Sequence, residues 1–184
     1  MLKIATWNIN SVRARMKNLE DFLHNQNPDV VLLQETKVQD HEFPLFEIQS
    51  WGYEVASKGQ KSYNGVAILS KLPLKNIKTS LPTFLEDSNA RFIEATIKDD
   101  IKIMSIYSPN GNPIGSEKFI YKLDWLEKFK NYLHKLQQQN INFIAGGDFN
   151  VIFSELDCKT PEKWKNDALF ASETKQHYKA ILNM

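Results

Sequence analysis

Val30-Val31-Leu32-Leu33 is a short, wholly apolar run with no alternation, the pattern of a strand buried on both faces. Gln34-Glu35-Thr36 follows at once. Glu35 is therefore expected at the end of a buried strand. Carboxylates are seldom buried unless paired or metal-bound, so Glu35 reads either as a chemical group at a rim or as the exposed end of its strand.

The rest of the chain alternates between strand-like and helical patterns. Leu2 to Trp7 alternates apolar and polar residues and ends at Asn8, and Arg13 to Gln26 sets Met16, Leu19, Phe22 and Leu23 at helical spacing before Asn27-Pro28. Tyr53 to Ala56, Val66 to Ser70, Phe92 to Ile97 and Ile101 to Tyr107 read as strands, the last two joined at Lys98-Asp99-Asp100 as a hairpin. Glu117 to Gln138 carries Phe119, Leu123, Leu126, Phe129, Leu133 and Leu136 on one stripe, a long amphipathic helix with Ser116 as its N-cap. Ile141 to Ala145 is a further buried strand leading into Gly146-Gly147-Asp148-Phe149-Asn150, and residues 162–183 read as loop and then helix. No repeat, low-complexity tract or linker interrupts the pattern, so residues 1–184 read as a single domain of mixed α and β.

Composition narrows the function less than the pattern does. A net charge of +1 supplies no global attraction to nucleic acid, so any such binding needs a local patch; Arg13, Arg15, Lys17, Lys58 and Lys61 are candidates, each alone equally a solvated surface charge. The one cysteine, Cys158, has no internal partner, no Cys/His cluster is available for zinc, and no run of about 18 apolar residues marks a membrane span. A cytoplasmic, reducing location is the expectation.

Four strand-like segments end in side chains of one chemical kind: Asn8 with Asn10, Glu35, Tyr107 with Asn110, and Asp148 with Asn150. Singly, the amides are turn residues, Tyr107 is a core aromatic and Gly146-Gly147-Asp148 is a tight turn. Together they open a second reading. Oxygen ligands without Cys or His suit a hard cation such as Mg²⁺, or Mn²⁺ in its place, which one or two carboxylates hold while substrate phosphates complete the shell. Glu35 and Asp148 meet that demand.

In order, Thr6-Trp7-Asn8-Ile9-Asn10-Ser11-Val12-Arg13-Ala14-Arg15, Leu33-Gln34-Glu35-Thr36-Lys37, Gly65-Val66-Ala67-Ile68-Leu69-Ser70, Tyr107-Ser108-Pro109-Asn110-Gly111 and Gly147-Asp148-Phe149-Asn150 resemble the exonuclease III / AP endonuclease family of DNA-repair nucleases. The resemblance implies an α/β fold of two packed, mostly antiparallel sheets with outer helices, as in deoxyribonuclease I-like phosphoesterases. It implies cleavage of duplex DNA at abasic sites and 3′ ends with a divalent metal. By motif, Glu35 corresponds to the principal metal ligand, Asn8 to its supporting amide and Asp148 to the activator of the attacking water. Asn150 corresponds to the residue that orients the phosphate, Tyr107 to a phenol at the scissile group, and Asn110 to an amide on the phosphate backbone. Lys37 matches a lysine beside the metal, and Asn10 stands where some relatives have Asp. The family pattern continues into further strands with an acidic residue paired to a catalytic histidine and a closing Ser-Asp-His segment, neither found in residues 1–184. The expectation is thus a domain lacking its last strands, monomeric if intact and prone to associate if truncated. Its rivals are an inactive remnant and a lipid or inositol phosphoesterase of the same superfamily.

Overall fold

The computed structural model describes residues 1–98 and 100–184. In chain order the elements are β1 (Ile4–Asn8), α1 (Met16–Gln26), β2 (Val30–Gln34), α2 (Leu45–Ser50), β3 (Glu54–Lys58), β4 (Val66–Ser70), β5 (Lys75–Lys78), β6 (Phe92–Ile97), β7 (Ile101–Tyr107), α3 (Glu117–Gln138), β8 (Phe143–Asp148) and α4 (Ser172–Leu182). They form two four-stranded sheets, ordered β1-β2-β4-β3 and β5-β6-β7-β8. β1 runs parallel to β2 and β7 parallel to β8, while the other four neighbouring pairs are antiparallel.

Parallel neighbours need a crossover, and a helix supplies it each time: α1 between β1 and β2, α3 between β7 and β8. β2 shows why the chain layers as it does. Its outward side chains, Val31 and Leu33, pack with Leu19 and Leu23 of α1 and Ile48 of α2. Its inward ones, Val30 and Leu32, join Val66 and Ile68 of β4 and meet Ile93, Ala95 and Ile103 of the second sheet. On the far side, Phe92, Met104 and Ile106 pack with Trp125, Leu126, Phe129 and Leu133 of α3 and Ile181 of α4. The order of layers is helix, sheet, sheet, helix, the two-sheet α/β arrangement that the family resemblance implied where the pattern alone gave only mixed α and β.

Several local expectations hold to the residue: β4, β6, β7 and α3 begin and end where the pattern put them. Ser116 caps α3, its hydroxyl accepting from the Phe119 amide at 3.3 Å. Ile97 pairs with Ile101 across the expected hairpin, of which Asp99 lies outside the described residues. Other details differ. Gly146 and Gly147 do not form a turn but continue β8 to Asp148, opposite Ser105, Ile106 and Tyr107. A Cβ at Gly146 would stand 2.8 Å from Leu32 Cδ1, and one at Gly147 would stand 2.0 Å from the Ile106 carbonyl oxygen. The glycines let β8 lie close against its neighbours. α2 and β5 were not anticipated. β5 is exposed along its whole length, is defined only by its irregular pairing with β6, and so carries no apolar pattern of its own.

Candidate active site

The parallel pairings bring the C-terminal ends of β1 and β2 to one place, with Asn8 opposite Gln34, and those of β7 and β8 to another, with Tyr107 opposite Asp148. Because the sheets pack face to face, the two pairs of ends meet at one rim. Asn8 joins them: its amide donates to Glu35 Oε1 at 2.8 Å and to Asp148 Oδ2 at 2.9 Å. Both carboxylate oxygens touch a single nitrogen, so they lie within about 6 Å of each other, a span that one hard cation with its waters can bridge.

The backbone at the rim is sharply bent. Glu35 (φ 53°), Lys37 (φ 54°), Asn10 (φ 47°) and Asn150 (φ 50°) all occupy the left-handed region. For Glu35 and Lys37, which lack the local hydrogen bonding that eases asparagine there, this conformation costs about 1–3 kcal/mol each. Backbone hydrogen bonds hold the bend: Thr36 and Lys37 donate to the carbonyls of Gly65 and Asn64, and the Glu35 and Thr36 carbonyls accept from Ser11 and Val12. The bend takes Glu35 out of the pleat at the point where β2 leaves its sheet.

Lys37 lies 2.8 Å from Glu35 Oε2 and donates to Asn10 Oδ1 at 2.5 Å, and the Asn10 amide donates to Asn8 Oδ1 at 3.2 Å. Burial alone would raise the Glu35 pKa, but hydrogen bonds from Asn8 and Lys37 outweigh it and hold the carboxyl below its ordinary value. Burial, reinforced by the charge of Glu35, pushes the Tyr107 phenol up to about 12, so it is a protonated donor at any physiological pH. Asn150 turns back on Asp148: its backbone amide donates to Asp148 Oδ1 at 2.9 Å, and its side chain donates to the Ser108 carbonyl at 2.7 Å.

Asn8, Asn10, Glu35, Lys37, Tyr107, Asp148 and Asn150 thus share one contact network. Asn110 sits in the next loop, where its side-chain oxygen accepts from Asn112 and leaves its NH₂ as the group available to a ligand. Arg13 is not drawn in. It pairs with Glu42 at 3.3 Å, and Lys17 pairs with Asp21 at 2.9 Å, so the basic cluster near the N-terminus is largely matched by acids.

Lys122 escaped the sequence reading. It is fully buried, and its ammonium donates to the carbonyls of Asn110 at 3.0 Å and Asn150 at 2.6 Å, tying together two loops of the rim. Burial brings its pKa down to about 8. The signal was present: Lys122 lies three residues after Phe119 and four before Leu126, on the apolar stripe of α3.

Among the described residues no group of three or more His, Cys, Asp or Glu side chains could hold a metal. The rim instead offers two carboxylates and amides, all oxygen donors. That set fits Mg²⁺, which keeps several waters and takes few protein ligands.

The profile of the Endonuclease/Exonuclease/phosphatase family matches residues 5–180. Exodeoxyribonuclease III of Haemophilus influenzae is 35% identical over 160 residues, an alignment spanning 85% of this chain and 60% of that protein. An AP endonuclease from Archaeoglobus fulgidus superposes with a TM-score of 0.92 at 37% identity, over 100% of this chain and 70% of its own. The 3′ phosphatase NExo from Neisseria, solved with a product DNA hairpin, also gives 0.92, at 31% identity over 100% of this chain and 71% of its own.

Proposed function

Because the chain belongs to the Endonuclease/Exonuclease/phosphatase family, we propose that its rim hydrolyses phosphodiester bonds of duplex DNA, at abasic sites and at 3′ ends, with Mg²⁺ or Mn²⁺. The observation that carries the reading is the Glu35–Asn8–Asp148 bridge facing the Tyr107 phenol. Relatives named as exodeoxyribonuclease III, AP endonuclease and 3′ phosphatase support DNA as the substrate.

Glu35 and Asp148, with Asn8 between them, would hold the metal, which when bound supplies Lewis-acid polarisation of a phosphoryl oxygen. Asp148 accepts the proton of the attacking water, and Asn8 and the Asn150 backbone amide hold its carboxylate in place. Tyr107 donates through its phenol to a nonbridging oxygen, while the Asn110 NH₂ and Lys37 bind the phosphate backbone. Asn150 and Asn10 complete the wall of donors. Such sites need donors fixed in advance, which the bent backbone and the Lys122 tie provide. Action in a reducing, cytoplasmic setting is part of the same proposal, and the unpartnered Cys158 suits it.

None of the four histidines is seen in the network at the rim: His177, for instance, pairs with Glu127 at 3.4 Å. Residues 1–184 alone are therefore expected to bind metal and DNA but to turn over slowly. The test is incision of a duplex with one abasic site, in Mg²⁺, by residues 1–184 with and without the C-terminal segment of an intact relative, beside a phosphoinositide as alternative substrate. Incision that the segment restores and Asp148→Ala removes supports the proposal. Tight DNA binding with no incision in either case, or preference for the phosphoinositide, overturns it.

A further inference from the structure

Thr6, Gln34, Ser105 and Gly146 form a layer that crosses from one sheet to the other just beneath the rim. Side chains alternate along a strand, so the residue two places before a rim group shares its face. Thr6 stands under Asn8, Ser105 under Tyr107 and Gly146 under Asp148, while Gln34 is level with Asn8 and precedes Glu35. One step further down, the same face is apolar, with Ile4, Leu32 and Ile103. Gln34 and Ser105 are nonetheless buried.

The Gln34 amide nitrogen donates to Ser105 Oγ at 3.0 Å and to the Leu32 carbonyl at 3.0 Å. Thr6 Oγ1 lies within reach of both ends of that amide, 3.2 Å from Nε2 and 3.4 Å from Oε1. The Ser105 hydroxyl in turn donates to the Leu33 carbonyl at 2.8 Å. Two hydrogen bonds thus run between β2 and β7 in opposite directions. Packed sheets ordinarily stand about 10 Å apart, too far for a serine hydroxyl to reach the other sheet's backbone. The closer approach needs Gly146, where a Cβ would stand 2.8 Å from Leu32 Cδ1 and 3.8 Å from Thr6 Cβ. Apolar contacts tolerate sliding, whereas directional bonds fix both the gap between the sheets and their register.

Glu35 follows β2 and Asp148 ends β8, so the span between the two carboxylates is set by how one sheet stands against the other. Mg²⁺ demands a near-octahedral shell at about 2.0–2.1 Å, while Ca²⁺ accepts about 6–8 oxygens at about 2.3–2.6 Å in flexible geometry. We propose that the Gln34–Ser105 latch, with Thr6 beside it, positions Glu35 against Asp148 and so sets the rim's preference for Mg²⁺ relative to Ca²⁺. This rests on the metal reading above. Gln34, Ser105 and Thr6 are positioning residues, acting through the strands that carry the carboxylates.

The probe is Mn²⁺ followed by electron paramagnetic resonance, with Mg²⁺ and Ca²⁺ as competitors. The parent chain should bind Mn²⁺ and Glu35→Gln should lose it, which locates the ion at the rim. Ser105→Ala and Gln34→Met should weaken Mg²⁺ competition about tenfold or more, the usual loss when a group supporting a metal ligand is removed, and leave Ca²⁺ nearly unchanged. Thr6 is exposed on β1, so Thr6→Val keeps the fold whatever the buried variants do, and it should shift the Mg²⁺/Ca²⁺ ratio in the same direction. Ile97→Val lies in the same inter-sheet core at the hairpin end of β6; it loosens packing without touching the latch and should keep the parent ratio. A parent ratio in Thr6→Val and in whichever buried variant folds, or an equal shift in Ile97→Val, overturns the latch while the metal site stands. Absence of Mn²⁺ binding by the parent chain, or binding that persists in Glu35→Gln, overturns the metal reading and the proposal with it.

Discussion

Replacing Lys122 by Met separates what the buried ammonium does for the rim from what it does for the fold. Met keeps the unbranched stem that packs beside Gly111, where a Cβ would stand 2.5 Å from the Lys122 Cδ. The pKa of Lys122 falls from 10.5 to about 8, so the protonated form is disfavoured in the fold by about 3 kcal/mol. Met escapes that cost but leaves the Asn110 and Asn150 carbonyls without their donor, at about 1–3 kcal/mol each. The two effects largely cancel, and net destabilisation at pH 7 should stay below about 3 kcal/mol. Function should not cancel: with Asn110 and Asn150 no longer tied together, affinity for an abasic-site duplex should fall about tenfold or more, as expected when positioning groups shift by about 1 Å. The pH dependence carries a signature of its own. Between pH 8 and 10.5 native Lys122 is neutral while the unfolded chain still holds the proton. Stability should therefore rise with pH across that window by up to about 1.4 kcal/mol per unit relative to Lys122→Met. Urea unfolding at pH 7, 8.5 and 9.5, with fluorescence anisotropy for DNA, measures both. Parallel stability curves for parent and variant would refute the buried-cation account, and unchanged DNA affinity in a folded variant would refute the tie between the loops.

Tyr107→Phe should lower incision by the reconstituted enzyme about 10²–10³-fold, since it removes a fixed donor at the reacting phosphate. Because that phenol is pushed up to about 12, the parent rate between pH 7 and 10 should show no loss attributable to tyrosine ionisation; a descending limb near pH 9 that disappears in Tyr107→Phe would contradict the assignment. Strands β1 and β8 each end their sheet with one side unpaired, so residues 1–184 by themselves should self-associate as concentration rises. Light scattering that reports a monomer at high concentration would count against it.

Some of this protein was legible from local pattern alone. The apolar run of β2, the short strands β4, β6 and β7 and the 22-residue helix α3 each carry their own signal, because burial on both faces or along one stripe imprints a contiguous or periodic pattern. The residues of the rim could likewise be picked out one at a time, as polar groups at strand ends. Their convergence on one site was expected from their shared chemistry and from the family resemblance, but no local pattern carries it. Asn8, Glu35 and Asp148 are far apart in the chain, and only the parallel pairing of β1 with β2 and of β7 with β8, together with the packing of one sheet on the other, brings one amide within reach of both carboxylates. The same holds for β5, which exists through its pairing with β6, and for the glycines of β8, whose need is set by Leu32 and Ile106. Lys122 was hidden for a related reason. A cation in sequence reads as surface, and whether it is sealed beneath two loops depends on neighbours from distant segments. Local segments carry the preference for helix or strand, but the energy of a buried charge or a shared carboxylate pair depends on what surrounds it, and those surroundings form only when the sheets come together.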